Sequence, residues 1–570
     1  MDGRVCLMTA RRGYPVSMRV GLTRHDPTIG DLQRNAETIA SAIAAAGDVD
    51  VLVFPELAIC GYPPRDLLFR SGFVDACRQA VESLATDVPD NLLVLVGTPW
   101  PVDGNVANAV VVLRGGRVEA VSAKRLLPAY DVFDEDRYFT PGDGPCIIEH
   151  AGRHIGVLVC EDCWQGGDVD AGPYPHDPVA SAVKAGADVL VIASASPFIL
   201  GKHERQRARL AEVAKAHGVH VCAVNQAGAN DDLIFDGDAM ACGPDGGLLA
   251  LREPFEQSAC LNVDLNAESN VTVPKRDIHA RRIHALTESI AGYIGKTQSD
   301  GVLLGISGGI DSAVVATLAV AALGPQQVSG ITMPARYTSD ETRSDAHTLA
   351  ERLGIQLETI DLEGLHAACR EALGDAVHDG DLTDQNVQAR LRGLLLMARS
   401  NAAASLVLSC GNKSEIAVGY ATLYGDMNGA MCPLGDVLKT DVYAMASWMN
   451  SRYAELGFTA PPIPQRIIDR PPTAELRPDQ CDQDSLPPYD VLDAIVRGIV
   501  EAEQDDDTVA AAAGVDAAMV EQWRRTIDRA QFKRSQASII PKLTARAFGR
   551  GRPWPIVSNP TVAPVPERST

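Results

Sequence analysis

Two groups of residues in this sequence have the types and spacing to do chemistry. Gly305-Ile306-Ser307-Gly308-Gly309-Ile310-Asp311-Ser312 follows a Val/Leu run and opens an Ala/Val-rich stretch. Glycines let backbone N–H groups approach an anion, and a helix N-terminus adds partial positive charge. Ser307 and Ser312 offer hydroxyl donors, while Asp311 can hold a magnesium ion that bridges phosphates. No lysine follows the glycines, so this is not the GxxxxGK[ST] loop of ordinary nucleoside triphosphatases. The bland alternative is a well-capped strand-to-helix turn. The second group is Glu56 after DVLVFP, Lys124 after VEAVSA and Cys160 after HIGVLV. A carboxylate, an ammonium and a thiol at strand ends can meet at one sheet edge. The lysine would then stabilise a thiolate and a developing oxyanion, and the glutamate would shuttle the proton. Cys160 also has two plainer readings, as a buried structural thiol or as half of the redox or metal pair Cys160-Glu-Asp-Cys163.

These residues need strands to carry them, and the chain supplies two sets. Short Val/Leu/Ile runs alternate with Ala-rich helical stretches such as 32–46 and 204–217. Two Gly-Gly pairs between strands predict hairpins. This pattern predicts a mixed sheet covered by helices over 18–265, after an unstructured extension 1–17. A polar, basic stretch, 266–282, reads as a linker. A helix is predicted over 283–294, and parallel strands at wide spacing then predict a doubly wound α/β domain over 283–570. The proline-rich stretch 461–488 reads as a long irregular loop.

A chain of 570 residues exceeds one core, and 46% hydrophobic content excludes a disordered polymer. The net charge of −23 argues against a nucleic-acid binder, although 524–570 is locally basic. Thirteen cysteines are too sparse for a disulfide scaffold and point to a reducing cytoplasm. No apolar run approaches the ~20 residues that span a bilayer, and the N-terminus lacks a secretory signal.

The SGGIDS loop resembles the pyrophosphate loop of N-type ATP pyrophosphatases. Met333-Pro-Ala-Arg-Tyr337, Asn386-Val-Gln-Ala-Arg390, Cys410-Gly-Asn-Lys-Ser-Glu415, Arg470-Pro-Pro-Thr-Ala-Glu-Leu-Arg-Pro-Asp479 and Phe532-Lys-Arg534 resemble the NAD synthetase family within that class. The resemblance implies an adenine-nucleotide α-hydrolase-like fold in which Gly305 to Ser312, Cys410, Lys439 and Thr473 contact ATP. It also implies that Asp311 and Glu415 bind Mg2+, and that Asn386, Arg390, Glu415 and Lys533 face deamido-NAD. Cys410 departs from the family's usual threonine, which leaves only a weak donor there.

In the first half, FPELAICGYPPRDLL, KRLLPAYDVFDEDRYFTPG, GVLVCEDCW and SASPF resemble the nitrilase superfamily, in the glutaminase form fused to NAD synthetases. That resemblance implies an α-β-β-α sandwich with Glu56 as base, Lys124 as oxyanion stabiliser, Cys160 as nucleophile and Glu135 as a second carboxylate. Tyr130, Ser196 and Lys202 would line a glutamine pocket. Thr23-Arg-His-Asp26 replaces the family's Ala-Gln-x-Asn, and no chemical reason accounts for it. Together the resemblances cover Met18 to about Pro553. They imply glutamine-dependent amidation of deamido-NAD with ATP as co-substrate, in a cytoplasmic homo-oligomer without nucleic-acid or membrane partners. A different acceptor on the same ATP loop, or an inert first domain, are the alternatives. The basic tail, which includes Lys533, reads as a local clamp for an anionic dinucleotide.

Overall fold

The computed structural model describes residues 17–164, 174–275, 277–473, 475–477 and 480–558. Residues 1–16 of the expected extension, 559–570 of the basic tail, and Ala474, Pro478 and Asp479 of the Arg470–Asp479 motif lie outside the described residues.

The apolar runs of the first half form β1 (Arg19–Thr23), β2 (Val51–Val53), β3 (Leu93–Val102), β4 (Asn105–Arg114), β5 (Arg117–Ala123), β6 (Cys146–His150) and β7 (Arg153–Val159). They continue as β8 (Val189–Ser194), β9 (His220–Asn225), β10 (Ala227–Asn230), β11 (Leu233–Asp236), β12 (Ala239–Cys242), β13 (Leu248–Arg252) and β14 (Cys260–Asp264). One six-stranded sheet has the order β14-β1-β2-β3-β4-β5 and the other β13-β12-β9-β8-β7-β6. Alternate residues of each strand point to opposite faces. Val20, Val51, Leu95 and Val112 therefore meet Val157, Val191 and Val224 between the sheets. The outer faces are covered by α1 (Leu32–Ala44) and α2 (Phe73–Ala85) on one side. On the other side lie α3 (Pro178–Lys184) and α4 (Lys202–His217), which completes an α-β-β-α sandwich. The small hairpin β10–β11 stands apart from both sheets and does not stand out in the sequence, because AGAN has no strand-like alternation.

The second half begins with α5 (Ile278–Thr297), five residues earlier than predicted. The Asp277 carboxylate accepts the His279 N–H at 2.7 Å and so caps the helix inside the expected 266–282 linker. The basic look of that stretch misleads because its arginines are buried in ion pairs, Arg281 with Glu204 and Arg282 with Asp441. β15 (Val302–Gly305), α6 (Ile310–Leu323), β16 (Val328–Thr332), α7 (Asp340–Leu353), β17 (Gln356–Thr359), α8 (Glu363–Leu373), α9 (Leu382–Ala403) and β18 (Leu406–Leu408) follow. Beyond them come α10 (Lys413–Val418), α11 (Lys439–Ser451) and α12 (Gln465–Asp469). Asp381 caps α9, and Asn386 sits past its first turn. The stretch 461–488 is not wholly irregular, since α12 forms directly after Pro464.

The four strands of this sheet are parallel in the order β17-β16-β15-β18. The chain leaves β15 toward β16 on one side and returns later as β18 on the other. The Gly305–Ser312 loop thus exits the carboxyl end of a strand at the reversal of strand order, where such sheets bind ligands. The two domains are joined by a shared core, in which Phe198, Ala229 and Ile234 of the first pack with Ile283, Leu286 and Ile290 of α5.

One glycine positions Glu56 directly. A Cβ at Gly97 on β3 would lie 2.2 Å from Pro55 O and 2.4 Å from Leu57 N, so backbone itself fills the space. Gly97→Ala is expected to destabilise the protein by about 3 kcal/mol, at the upper end for overpacking. Gly144→Ala, which meets nothing within 4 Å, is the control for the denaturant titration that checks this.

Candidate active sites

At the ends of β2 and β5 the structure brings three of the expected residues into contact. Lys124 Nζ donates to Glu56 Oε1 and to Glu135 Oε1, both at 2.8 Å, with the lysine only 1% exposed. Burying an ion costs several kcal/mol unless partners satisfy it. Here Asn108 Nδ2 adds a bond to Glu56 Oε1 at 2.7 Å and one to Glu135 Oε2 at 3.3 Å. Tyr62 OH donates to Glu135 Oε1 at 2.9 Å, and Ala195 N–H to Glu56 Oε2 at 2.8 Å. Burial works against the Lys124 charge, but the two carboxylates outweigh it and hold its pKa well above the ordinary value. Burial pushes the Glu135 carboxyl up to about 7 against the pull of Lys124.

Cys160 begins a 3₁₀ turn after β7 with φ of +42°, a left-handed conformation that costs a non-glycine residue about 1–3 kcal/mol. Burial and then the nearby Glu56 charge push its thiol well above the usual range, with Lys124 opposing. Lys124 is thus the group that favours the thiolate, the direction expected of it. Cys163, its C-x-x-C neighbour, donates its S–H to Cys160 O at 3.0 Å and so closes the turn. Tyr130 OH donates to Glu161, the residue next to Cys160, at 3.1 Å. Lys202 Nζ donates to Pro197 O at 3.1 Å, and burial lowers its pKa. Ser196 is fixed from both sides of its peptide by the Asn225 carboxamide at 2.8 and 3.0 Å.

In the second domain, the Ser307 and Ser312 hydroxyls lie 3.1 Å apart, and Gly309 N–H donates to Ser307 Oγ at 3.2 Å. Asp311, at the start of α6, accepts from Lys439 Nζ at 2.6 Å and from Asn412 Nδ2 at 3.0 Å. Lys439 Nζ also reaches Glu415 Oε1 at 3.2 Å. Glu415 and Asn412 cap α10 reciprocally. Burial pushes the Glu415 carboxyl up to about 7, with Lys439 opposing.

A cavity of about 330 Å³ opens beside this group. Gly305, Ile306, Ser307, Asp311, Ser312, Cys410 and Glu415 line it. Gly308, Gly309, Ile310 and Lys439 do not line it, although Lys439 is bonded to Asp311 and Glu415, which do. Thr473 is not brought there: its hydroxyl donates to Gln480 O at 2.6 Å. The Asp311 and Glu415 side chains each retain 18% exposure on that face. Two hard oxygen donors beside the Gly305–Ser312 loop fit Mg2+, which commonly takes one or two carboxylates and completes its shell with phosphate and water.

Asn386, Arg390 and Lys533 do not line the cavity but converge on one segment beside it. Asn386 Oδ1 accepts from Thr422 at 2.8 Å, Arg390 Nε donates to Leu423 O at 3.2 Å, and Lys533 Nζ donates to Gly419 O and Ala421 O at 2.7 Å.

Residues 282–537 match the NAD synthase family and residues 19–269 the carbon-nitrogen hydrolase family. A glutamine-dependent NAD(+) synthetase of Xanthomonas campestris pv. campestris is 41% identical over 556 residues, covering 95% of this chain and 98% of that one. One of Synechocystis sp. is 38% identical over 556 residues, covering 94% and 98%. The solved structure of glutamine-dependent NAD+ synthetase from Acinetobacter baumannii in complex with adenosine diphosphate is 34% identical, with a TM-score of 0.74 over 95% of this chain and 99% of that one. The chain belongs to the family of glutamine-dependent NAD(+) synthetases.

In this NAD(+) synthetase family member several supporting residues escape sequence reasoning. Tyr62 and Asn108 hold the carboxylates but come from a turn and a strand distant in sequence. Asp162 accepts the N–H groups of Arg125, Leu126 and Val159 at 2.9–3.1 Å, which ties the segment after Lys124 to the strand before Cys160. Its place two residues after Cys160 was the available signal, as was the Asn-x-x-Glu capping pattern for Asn412. Arg392 lines the cavity and donates to Met333 O at 3.2 Å, and burial lowers its pKa to about 10.

Much of the charge of the described basic tail is engaged within the chain. Arg524 pairs with Asp506, Arg552 with Asp528 and Lys542 with Asp131, while Arg534 donates to backbone carbonyls of α10 and Arg546 lies beside Glu503. Four of these five cations are thus paired with acids of the same chain.

Lys124→Met removes the one cation of a buried cluster. It is expected to cost about 3–5 kcal/mol of stability, the usual penalty for stranding a buried charge, and to abolish glutamine hydrolysis. Thermal unfolding and glutamate release measure the two effects.

Proposed function

We propose that this chain amidates deamido-NAD to NAD with ATP, drawing the nitrogen from glutamine and releasing AMP, pyrophosphate and glutamate. The observation that carries this reading is the presence, in one chain, of a buried Glu56–Lys124–Glu135 cluster beside Cys160 and of an Asp311–Lys439–Glu415 cluster beside a phosphate loop.

In the first site Glu56 Oε2 takes the Cys160 proton as sulfur attacks the glutamine side-chain carbonyl. The carboxylates account for two of the three Lys124 donors, which leaves the third for the oxyanion. Glu56 returns the proton to the departing ammonia, and a thioester forms. Glu56 then activates the water that releases glutamate. Glu135, bonded to Lys124, Tyr62 and Asn108, keeps the ammonium aimed. Glu161, already an acceptor for two tyrosine hydroxyls, is suited to the substrate's α-ammonium, and Lys202 to its α-carboxylate.

In the second site the Gly305–Ser312 loop, with Ser307 and Ser312 hydroxyls, holds ATP phosphates. Asp311 and Glu415 would hold Mg2+, which when bound offsets phosphate charge at the point of transfer. Lys439 holds those two carboxylates in place and adds positive charge. The nicotinate carboxylate of deamido-NAD attacks the α-phosphorus, and the bond to the pyrophosphate breaks. Ammonia then attacks the mixed anhydride and displaces AMP. Asn386, Arg390 and Lys533 support the 419–423 segment that borders the dinucleotide. Cys410 contributes packing to the ATP cavity in place of a hydroxyl.

Leu382, Leu394 and Met397 of α9 are 72%, 61% and 38% exposed, and Asn386 and Arg390 share that helical face. This supports a homo-oligomer paired through α9. Twelve described cysteines are free, which supports a reducing cytoplasm. Among the described residues no helix is long and apolar enough to cross a membrane.

Replacing Cys160 with Ala tests the division of labour. NAD formation from glutamine is expected to fall at least 10³-fold, on the order of losing a nucleophile, while synthesis from added ammonium salt stays within about twofold. Asp311→Asn is expected to abolish synthesis from either donor, as read by NAD formation and pyrophosphate release. Failure of Cys160→Ala with both donors in a folded protein would contradict the two-site scheme.

A further inference from the structure

A strap of the second domain, residues 540–546, runs between the two sites. On one edge it bonds to the first domain. Lys542 N–H donates to Asp232 O at 2.8 Å, and Leu543 O accepts from Leu200 N–H at 2.9 Å. Lys542 Nζ, on a residue 1% exposed, donates to Asp131 Oδ1 at 3.0 Å and to Ala545 O at 2.7 Å. These contacts fall beside the residues assigned to glutamine. Asp131 directly follows Tyr130, whose hydroxyl donates to Glu161, and Leu200 lies two residues before Lys202. Asp131 also has φ of +52°, a left-handed conformation that a non-glycine residue keeps only when its surroundings impose it.

The other edge of the strap faces the ATP side. Leu543 and Thr544 donate their N–H groups to Asp436 Oδ2 at 2.7 Å each. Asp436 pairs with Lys413 Nζ at 2.8 Å, and Lys413, fully buried, also donates to Thr544 Oγ1 at 2.9 Å and to Arg546 O at 3.2 Å. Lys413 is the first residue of α10. Asn412 before it holds Asp311, and Glu415 lies in the same turn. Every link from Tyr130–Asp131 to Asp311 is therefore a hydrogen bond or one peptide step. The shared core of Phe198, Ala229 and Ile234 already supplies apolar adhesion between the domains. A buried ion pair adds little to that adhesion but fixes geometry.

We propose that Lys542 is a positioning residue of the glutamine site, supplied by the synthetase domain, and that its strap transmits the state of the ATP site to the Tyr130–Asp131 loop. The proposal rests on the glutamine-dependent reading above. The full-length chain is assayed as wild type, Lys542→Met, Asp131→Asn and Lys542→Arg. Glutamate release is measured against glutamine concentration, with and without ATP, Mg2+ and deamido-NAD, and ammonium-driven NAD synthesis is measured alongside. Lys542→Met and Asp131→Asn are each expected to raise the glutamine KM about tenfold. Both are expected to reduce the change in glutaminase rate on loading the ATP site toward none, and to leave ammonium-driven synthesis within twofold. Lys542→Arg is expected to recover part of the KM. An unchanged KM and loading response in Lys542→Met would overturn the proposal, and so would an equal loss of ammonium-driven synthesis. If Lys542→Met does not fold, Asp131→Asn decides by the same criteria. A wild-type chain that releases no glutamate would instead defeat the glutamine-dependent reading itself.

Discussion

One ammonium held between two carboxylates recurs in both domains, and the difference in how each cluster is closed separates their chemistry. In the first, Lys124 joins Glu56 and Glu135, and neutral donors from Tyr62, Asn108 and Ala195 add further bonds to both carboxylates. Two acids and one lysine leave a single negative charge in a dry site. Burial pushes the Glu135 carboxyl up to about 7, as it does Glu415 in the second cluster. In the second, Lys439 joins Asp311 and Glu415 with the same charge count, but both acids remain partly open to the cavity. That deficit is available to a hard cation arriving with phosphate. A sealed cluster suits proton transfer, and an open one suits phosphate binding.

The folds serve these clusters by bringing strand ends together. Glu56 and Lys124 follow β2 and β5 of one sheet, whereas Cys160 follows β7 of the facing sheet. In the proposed mechanism the nucleophile therefore comes from the opposite layer of the sandwich to its base and cation. Asp162 bridges that gap through backbone N–H groups on both layers. In the second domain the phosphate loop leaves β15 at the reversal of strand order, and α10 follows β18 on the adjacent strand.

Much of this was legible from residue order. Apolar runs bounded by glycine, proline and aspartate marked both sheets, and Glu56, Lys124 and Glu135 do share one buried cluster. What escaped detection has a common cause. Asn108 lies in an apolar strand and Tyr62 in a turn, where neither periodicity nor spacing marks a hydrogen-bond partner. Arg281 and Arg282 look like exposed linker residues but lie in α5, buried against acids. The basic tail has the same ambiguity: charge in a sequence does not tell a solvated cation from one paired within the chain. Thr473, carried by family resemblance alone, points its hydroxyl at Gln480.

The central claim is that nitrogen released beside Cys160 is consumed beside Asp311 within the same assembly. Free ammonia would largely protonate in water, so transfer must outpace escape. The direct measurement supplies glutamine labelled with nitrogen-15 in the side-chain amide, together with excess unlabelled ammonium, and reads the isotope in the NAD carboxamide by mass spectrometry. The account predicts product labelled far above the bulk ammonium ratio. Label diluted to the bulk ratio would contradict it.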